Sequence, residues 1–136
     1  MDEDESLRRY GLQPVAADLD EVRELLRGRT ERERHSQGAG DTELMKLCCV
    51  QLFNAGVIDD VLLIWSAKTA SMDAACSIDV QLLCGPGLTE TKAYLSALRT
   101  PEAEAARQRL LECEAAGDFE GFCVEEYSAQ YAAYYE

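Results

Sequence analysis

Few residues in this chain could carry out acid–base or nucleophilic chemistry. The one histidine, His35, lies in a stretch of alternating arginine and glutamate rather than among apolar residues. None of the six cysteines stands beside a group of cations, which a thiol needs if its pKa is to fall far enough for nucleophilic attack at neutral pH. We therefore expect neither histidine base catalysis nor a Cys-His pair, and we predict that the protein is not an enzyme.

The cysteines also lack the spacing of a metal site. Structural zinc sites use Cys-x-x-Cys knuckles or paired histidines, whereas Cys48 and Cys49 are adjacent and the other four cysteines are scattered. Adjacent side chains on a helix point about 100° apart, so these two thiols cannot easily share one ion. We predict free thiols, no metal and no cofactor.

Carboxylates are the remaining candidates for chemistry. Four aspartates flank the apolar middle of the chain and form the alternative candidate polar site: Asp59, Asp60, Asp73 and Asp79. Most such acids cap helices. Asp79 lies between apolar turns, so we expect it to face solvent, to pair with Lys68 or Lys92, or to belong to a site for a small molecule or for carboxylate-based catalysis.

The C-terminal segment combines aromatic rings with acids. Tyr127, Tyr131 and Tyr134 are spaced i, i+4 and i+7, which places them on one face of a helix. Aromatic residues ringed by acids are typical of a binding hot spot for a basic partner, although the tyrosines could instead pack back on the domain. The candidate partner-binding residues are Phe119, Glu120, Phe122, Glu125, Glu126, Tyr127, Tyr131, Tyr134 and Tyr135.

Length and charge limit the class of function. The chain has 136 residues, enough for one domain with a packed core, and a net charge of −13, which argues against nucleic acid as a partner. The first five residues include four acids, which is unlike a secretory signal, and the longest uncharged run, 47–58, is too short to cross a membrane. We expect a cytoplasmic protein that does not enter a membrane.

Apolar periodicity and capping residues predict seven helices. Asp18 and Glu21 resemble a capping box for a first helix that ends at Gly28, and 29–40 is expected to be a frayed extension or a mobile hinge. The segment from Asp59 is interpreted as a buried helix rather than a strand because no turn residue interrupts it before Ala70. The predicted helices cover 19–28, 41–56, 59–70, 74–84, 89–98, 100–117 and 125–136, with Thr89 and Thr100 as caps.

These elements predict an all-α fold, a compact bundle or short array of about seven helices in helical hairpins. An acidic and Arg-rich helix and hinge at 1–40 precede a helical core at 41–136 within one domain. In general physical character the chain is similar to bacterial immunity proteins, which implies an inhibitor that covers a basic toxin or nuclease. The alternative is a helical-repeat-like adaptor that binds a peptide or complex subunit around Trp65 and Leu82.

Overall fold

The computed structural model describes residues 1–136 and contains helices and turns but no strand. The all-α prediction is confirmed, with eight α-helices instead of seven. They are α1 (Glu3–Tyr10), α2 (Ala16–His35), α3 (Thr42–Ala55), α4 (Val61–Lys68), α5 (Met72–Ser77), α6 (Leu88–Leu98), α7 (Pro101–Ala115) and α8 (Val124–Tyr134). Two short 3-10 segments, Ile58–Asp60 and Val80–Cys84, precede α4 and α6.

Helix α3 lies at the centre of the domain. Its N-cap Asp41 accepts a hydrogen bond from the backbone N–H of Leu44 at 3.2 Å, and Gly56 ends the helix in the left-handed conformation. Nine of its residues are buried, among them the adjacent Cys48 and Cys49. The helix packs against α1, α2, α4, α5 and α8, as its apolar composition predicts.

Helix α2 differs from the prediction at both ends. It begins at Ala16 after Val15, which makes no side-chain cap, so the proposed capping box at Asp18 is wrong. It also continues through Gly28, because the buried stripe of Val22 and Leu26 extends to Thr30 and Glu33. Packing of that stripe outweighs the cost of about 1 kcal/mol for a glycine within a helix.

The segment predicted as a hinge is therefore helical up to His35, and only residues 36–40 form a turn. The buried carboxylate of Glu33 holds this turn: it accepts hydrogen bonds from the backbone N–H groups of Gly38 at 3.1 Å and Gly40 at 2.9 Å. The hydroxyl of Ser71 donates a third bond at 2.6 Å. The bond from Ser71 is the main reason that the pKa of Glu33 is lowered.

The segment 74–84, predicted as one helix, belongs to two short pieces, α5 and the 3-10 segment Val80–Cys84, which part at Ile78 and Asp79. The break leaves helix carbonyls without helical partners, and the buried ammonium of Lys68 takes two of them. Its Nζ donates to the carbonyl oxygens of Ala75 at 2.7 Å and Ile78 at 2.5 Å. Asp79 follows in extended backbone, so its side chain points away from the helical ladder toward α8.

The remaining helices complete the domain. α6 begins at Leu88 after Gly87, whose φ of 111° only glycine adopts readily, so Thr89 is not its cap. Thr100 caps α7 as predicted, accepting a bond from the N–H of Ala103 at 3.1 Å ahead of Pro101. None of the eight helices combines the length and the apolar character of a membrane span.

Candidate functional site

Helix α8 carries most of the predicted partner-binding residues, and the structure divides them into three groups. Phe119 and Tyr131 are buried, so neither offers a large contact area. The half-buried residues are Phe122, Tyr127 and Tyr135. The exposed ones are Glu120, Glu125, Glu126 and Tyr134, and the Tyr134 side chain is 65% exposed. Of the two alternatives for the tyrosines, Tyr131 thus packs back on the domain, Tyr127 and Tyr135 do so in part, and Tyr134 stays exposed.

Two of the tyrosine hydroxyls turn inward to a shared polar partner, Asp79. The hydroxyls of Tyr127 and Tyr131 both donate to its Oδ2 atom, at 2.9 Å and 2.5 Å. The other oxygen, Oδ1, accepts no hydrogen bond from the protein. Neither Lys68 nor Lys92 forms a salt bridge with Asp79, since Lys68 donates to backbone carbonyls and Lys92 pairs with Glu114. Of the three alternatives for Asp79, direct pairing with a lysine is thus wrong, and the carboxylate is held instead by two phenols.

The aromatic rings form a continuous chain from the core to the surface. Phe53 of α3 meets Tyr127 edge to face at 5.5 Å between ring centroids, and Tyr127 meets Tyr131 at 5.3 Å. Tyr131 in turn contacts Tyr134 at 6.1 Å. Each such pair contributes about 0.5–1.5 kcal/mol beyond the area it buries. The exposed ring of Tyr134 is therefore supported by rings anchored in the core.

Tyr127 and Tyr131 are neutral hydrogen-bond donors. Burial raises the pKa of Tyr131 well above its ordinary value, and its hydrogen bond to Asp79 raises that pKa further. Burial likewise raises the pKa of Tyr127 and of Tyr135. A phenol that stays protonated at neutral pH cannot act as a base or a nucleophile there. The cluster is thus suited to binding and to packing.

A groove of about 270 Å³ opens beside these rings. The ammonium group of Lys46 lies 5.4 Å from the ring centroid of Tyr131 and 5.2 Å from that of Tyr134, within the range of a cation–π interaction. We name this feature the tyrosine groove. Its lining residues are Lys46, Asp79, Tyr127, Gln130, Tyr131 and Tyr134.

A second hollow of about 130 Å³ adjoins the tyrosine groove and shares Tyr127 and Gln130 with it. Three acids, Asp118, Glu120 and Glu126, line it together with Phe122. The two hollows follow the same face of α8, on which Glu126, Gln130 and Tyr134 stand one turn apart. We call the three acids around the second hollow, Asp118, Glu120 and Glu126, together with Glu125 next to them in the chain, the α8 acidic surface.

The α8 acidic surface contains no ion pair and no base. Residues 118–136 contain no lysine or arginine, and none of their acids forms a salt bridge. Elsewhere arginines neutralise neighbouring acids, as in the pairs of Arg27 with Glu24 and Arg107 with Glu104. Five acids and no base thus occupy the segment in which the aromatic rings reach the surface, in addition to exposed unpaired acids elsewhere, such as Asp18 and Asp73.

The structure does not bring the four central aspartates together. Asp60 is buried and accepts two bonds from Arg23 of α2, at 2.8 Å to Nε and 2.9 Å to Nη2. Asp59 and Asp73 are exposed on different elements, and no hollow is lined by more than one of the four. The alternative polar site at Asp59, Asp60, Asp73 and Asp79 is therefore not assembled, and only Asp79 faces a groove.

The structure also gives no support to a metal site, to a reactive thiol at Cys48 or Cys49, or to a peptide-binding face around Leu82. No three His, Cys, Asp or Glu side chains are placed so that they could hold a metal ion. Burial raises the pKa of Cys48 to about 12 and raises that of Cys49 as well, which keeps both as unreactive thiols. Leu82, central to the proposed adaptor face, is fully buried and cannot contact a peptide.

Two residues of the tyrosine groove escaped the sequence interpretation. Lys46 is the only charged residue between Glu43 and Asp59, and a lone base in an apolar helix must reach the edge of the core. That spacing could have marked it. Gln130 carries no comparable signal, because a polar residue on an amphipathic helix is the ordinary case.

Comparison with known proteins adds no relative to these observations. We found no match to this chain among family models, curated proteins or solved structures. The geometry of α8 and its surroundings therefore carries the functional interpretation by itself.

Proposed function

We propose that the protein binds a basic protein partner through the α8 acidic surface and blocks that partner by covering it. The observation that carries the proposal is the set of exposed acids on residues 118–136 that no cation of this chain neutralises. Like charges held together lower the stability of a domain, whereas a positively charged partner relieves that repulsion. A basic toxin or nuclease is the class of partner that fits an acidic protein that acts by occlusion.

The charge distribution supports fast and selective association. A surface of one sign steers an oppositely charged partner toward it and raises the association rate, while it repels acidic proteins. Glu24 of α2 and Glu104 of α7 are paired with arginines on the same helix, whereas residues 118–136 hold five acids and no base, so this segment presents charge of one sign. Steering therefore favours an approach to this segment.

Tyr134 supplies an anchor for the bound state. Its ring is mostly exposed, and it packs against Tyr131 and Tyr135, which fix its position before a partner arrives. A preorganised aromatic side chain loses little conformational entropy on binding, which is why such residues dominate interface hot spots. Tyr127 and Tyr131 support the ring of Tyr134 from inside the domain and offer a partner little contact area themselves.

The test compares two variants with the same net charge. The protein is immobilised, the partner is captured from the native lysate and identified, and its association rate is then measured with purified material. E120Q/E125Q/E126Q removes three charges from the α8 acidic surface, and the matched control D18N/D73N/E102Q removes three exposed charges elsewhere. We expect the first variant to lower the association rate about tenfold and the control to change it little.

Salt provides the second half of the test. Raising the ionic strength to about 0.5 M shortens the Debye length to a few ångströms and should slow association with the wild type. An association rate that is unaffected by this salt, or equally affected by both variants, would overturn the proposed role of the α8 acidic surface.

A further inference from the structure

We propose that the tyrosine groove receives an arginine side chain of the basic partner, in the position that the ammonium group of Lys46 occupies in the free protein. This inference rests on the proposed function and deepens it, because it names the side chain that is recognised. The observation that carries it is that the groove already holds a cation against the faces of Tyr131 and Tyr134.

The groove offers acceptors and π faces but few donors. The hydroxyls of Tyr127 and Tyr131 are both used on Oδ2 of Asp79, and Oδ1 of that carboxylate has no partner within the protein. Gln130, which also lines the groove, makes no side-chain hydrogen bond with the protein and can turn its carbonyl oxygen to the groove. An anion would meet a carboxylate and the electron-rich faces of the rings, so the groove selects against it.

Arginine fits this arrangement better than lysine. Its planar guanidinium carries five N–H donors and stacks on an aromatic ring, so it can lie on Tyr134 while it donates to Asp79. An ammonium group is a strongly hydrated point charge that cannot stack. The volume of about 270 Å³ is large enough for the end of an arginine side chain with accompanying water.

Lys46 has a place to go when arginine enters. Glu43 lies one turn earlier on α3 and is exposed, at the i, i+3 spacing at which oppositely charged side chains meet. Lys46 forms no salt bridge in the free protein, so no ion pair has to break. Departure of its ammonium group therefore costs only the two cation–π contacts with Tyr131 and Tyr134.

The experiment titrates N-acetyl-arginine amide into the full chain and follows the ring signals of the tyrosines by NMR. The uncharged isostere N-acetyl-citrulline amide is the control ligand, and N-acetyl-lysine amide tests the choice of arginine. We expect saturable shifts of Tyr131 and Tyr134 with the arginine compound, weaker ones with lysine and none with citrulline. Binding of lysine as tight as that of arginine would overturn the assignment to arginine.

Two substitutions test the geometry. K46M removes the competing cation and should tighten arginine binding about twofold to fivefold, the range of an exposed cation–π contact. D79N removes the charge but keeps an oxygen that can accept the tyrosine hydroxyls, and it should weaken binding about tenfold. The exposed D73N is the matched control and should leave binding unchanged. Weaker binding in K46M, or equal effects of D79N and D73N, would overturn the inference.

A second pair of variants tests the groove without changing the hydrogen bonds of Asp79. Tyr134 is exposed, so Y134L should fold and lose about twofold to fivefold in affinity, while Y134F keeps the π face and the affinity. Failure here is distinguishable from failure of the proposed function. Suppose that the affinity for a hexa-arginine peptide falls in E120Q/E125Q/E126Q but is unchanged in K46M and Y134L. The proposed function is then supported, and the proposal that the tyrosine groove receives arginine is overturned.

Discussion

The hydroxyl of Tyr131 donates a hydrogen bond of 2.5 Å to Oδ2 of Asp79, although the two residues are 52 positions apart in the chain. Tyr127 adds a second bond to the same oxygen at 2.9 Å. These bonds join α8 to the break between α5 and the 3-10 segment Val80–Cys84, so the C-terminal helix is fastened to the middle of the chain. The same pair sets the wall of the tyrosine groove.

Removal of one hydroxyl should therefore weaken the domain. We expect Y131F to lower the free energy of unfolding by about 1.5–3 kcal/mol, because a hydrogen bond to a charged acceptor in a partly buried site is lost. Y134F removes a hydroxyl that has no protein partner and should change stability by less than about 0.5 kcal/mol. Urea unfolding of the two variants measures the difference, and equal midpoints would contradict it.

Glu33 predicts a pH dependence of stability. Its hydrogen bonds with Ser71, Gly38 and Gly40 lower its pKa in the folded state, so the folded protein favours the ionised form. A carboxyl group of this kind contributes stability above its ordinary pKa, and that contribution is lost as the pH falls through the lowered folded-state pKa. The contribution is present in full at pH 7, where the carboxyl group is ionised in both the folded and the unfolded state.

The variant E33Q isolates this effect. The gap in unfolding free energy between wild type and E33Q should be widest at neutral pH and should close as the pH is lowered below about 4. D18N, an exposed acid on the same helix without an ion pair, is the matched control and should show a small gap at every pH. A gap for E33Q that is constant with pH would contradict the role of its charge.

The ion pair of Arg23 and Asp60 should also be important for stability. Asp60 is buried with its side chain 7% exposed, and removal of its cation leaves a charge without a partner in a poorly solvated place. We expect R23M to cost about 2–4 kcal/mol, whereas R27M, which breaks the exposed pair with Glu24, should cost less than about 1 kcal/mol. Thermal unfolding compares them. The double variant R23M/D60N should recover part of the loss, and a cost of R23M no larger than that of R27M would contradict the prediction.

Two glycines should respond to alanine in opposite directions. Gly28 lies within α2, and a Cβ there would meet nothing within 4 Å, so G28A should stabilise the protein by about 0.5–1 kcal/mol. A Cβ on Gly85 would lie 2.5 Å from the carbonyl oxygen of Phe53, which is backbone and cannot move freely. We expect G85A to lower the melting temperature by several degrees and G28A to raise it. A change of the melting temperature in the same direction for both variants would contradict the prediction.

Local signals in the sequence predicted the elements that depend on one or two residues. Asp41, Gly56 and the Thr100–Pro101 pair mark helix ends by their own hydrogen-bonding and backbone preferences, and all of them act there. Gly28 was misleading as a stop signal because its cost is local, whereas the buried stripe to Glu33 stabilises the helix through contacts with other elements. Such contacts are not visible in the spacing of residues.

The tyrosine groove was predicted only in part, because it also depends on contacts between residues far apart in the chain. The tyrosine spacing placed three rings on one helical face, but which way that face points depends on Asp79, and no local pattern connects 79 with 131. The break at Ile78 that frees Asp79 depends in turn on Lys68, which donates to two carbonyls from another helix. Long-range polar partners of this kind decide exposure, and they appear only once the chain is folded.

Because Cys48 and Cys49 are buried, their reaction with a thiol reagent reports transient opening of the core. Both thiols lie at the centre of α3, whereas Cys76 is exposed. An alkylating reagent should modify Cys76 at once and reach the central pair only during excursions that uncover this helix. The rate at which Cys48 and Cys49 are labelled, followed by mass spectrometry, therefore reports how often the centre of the domain opens.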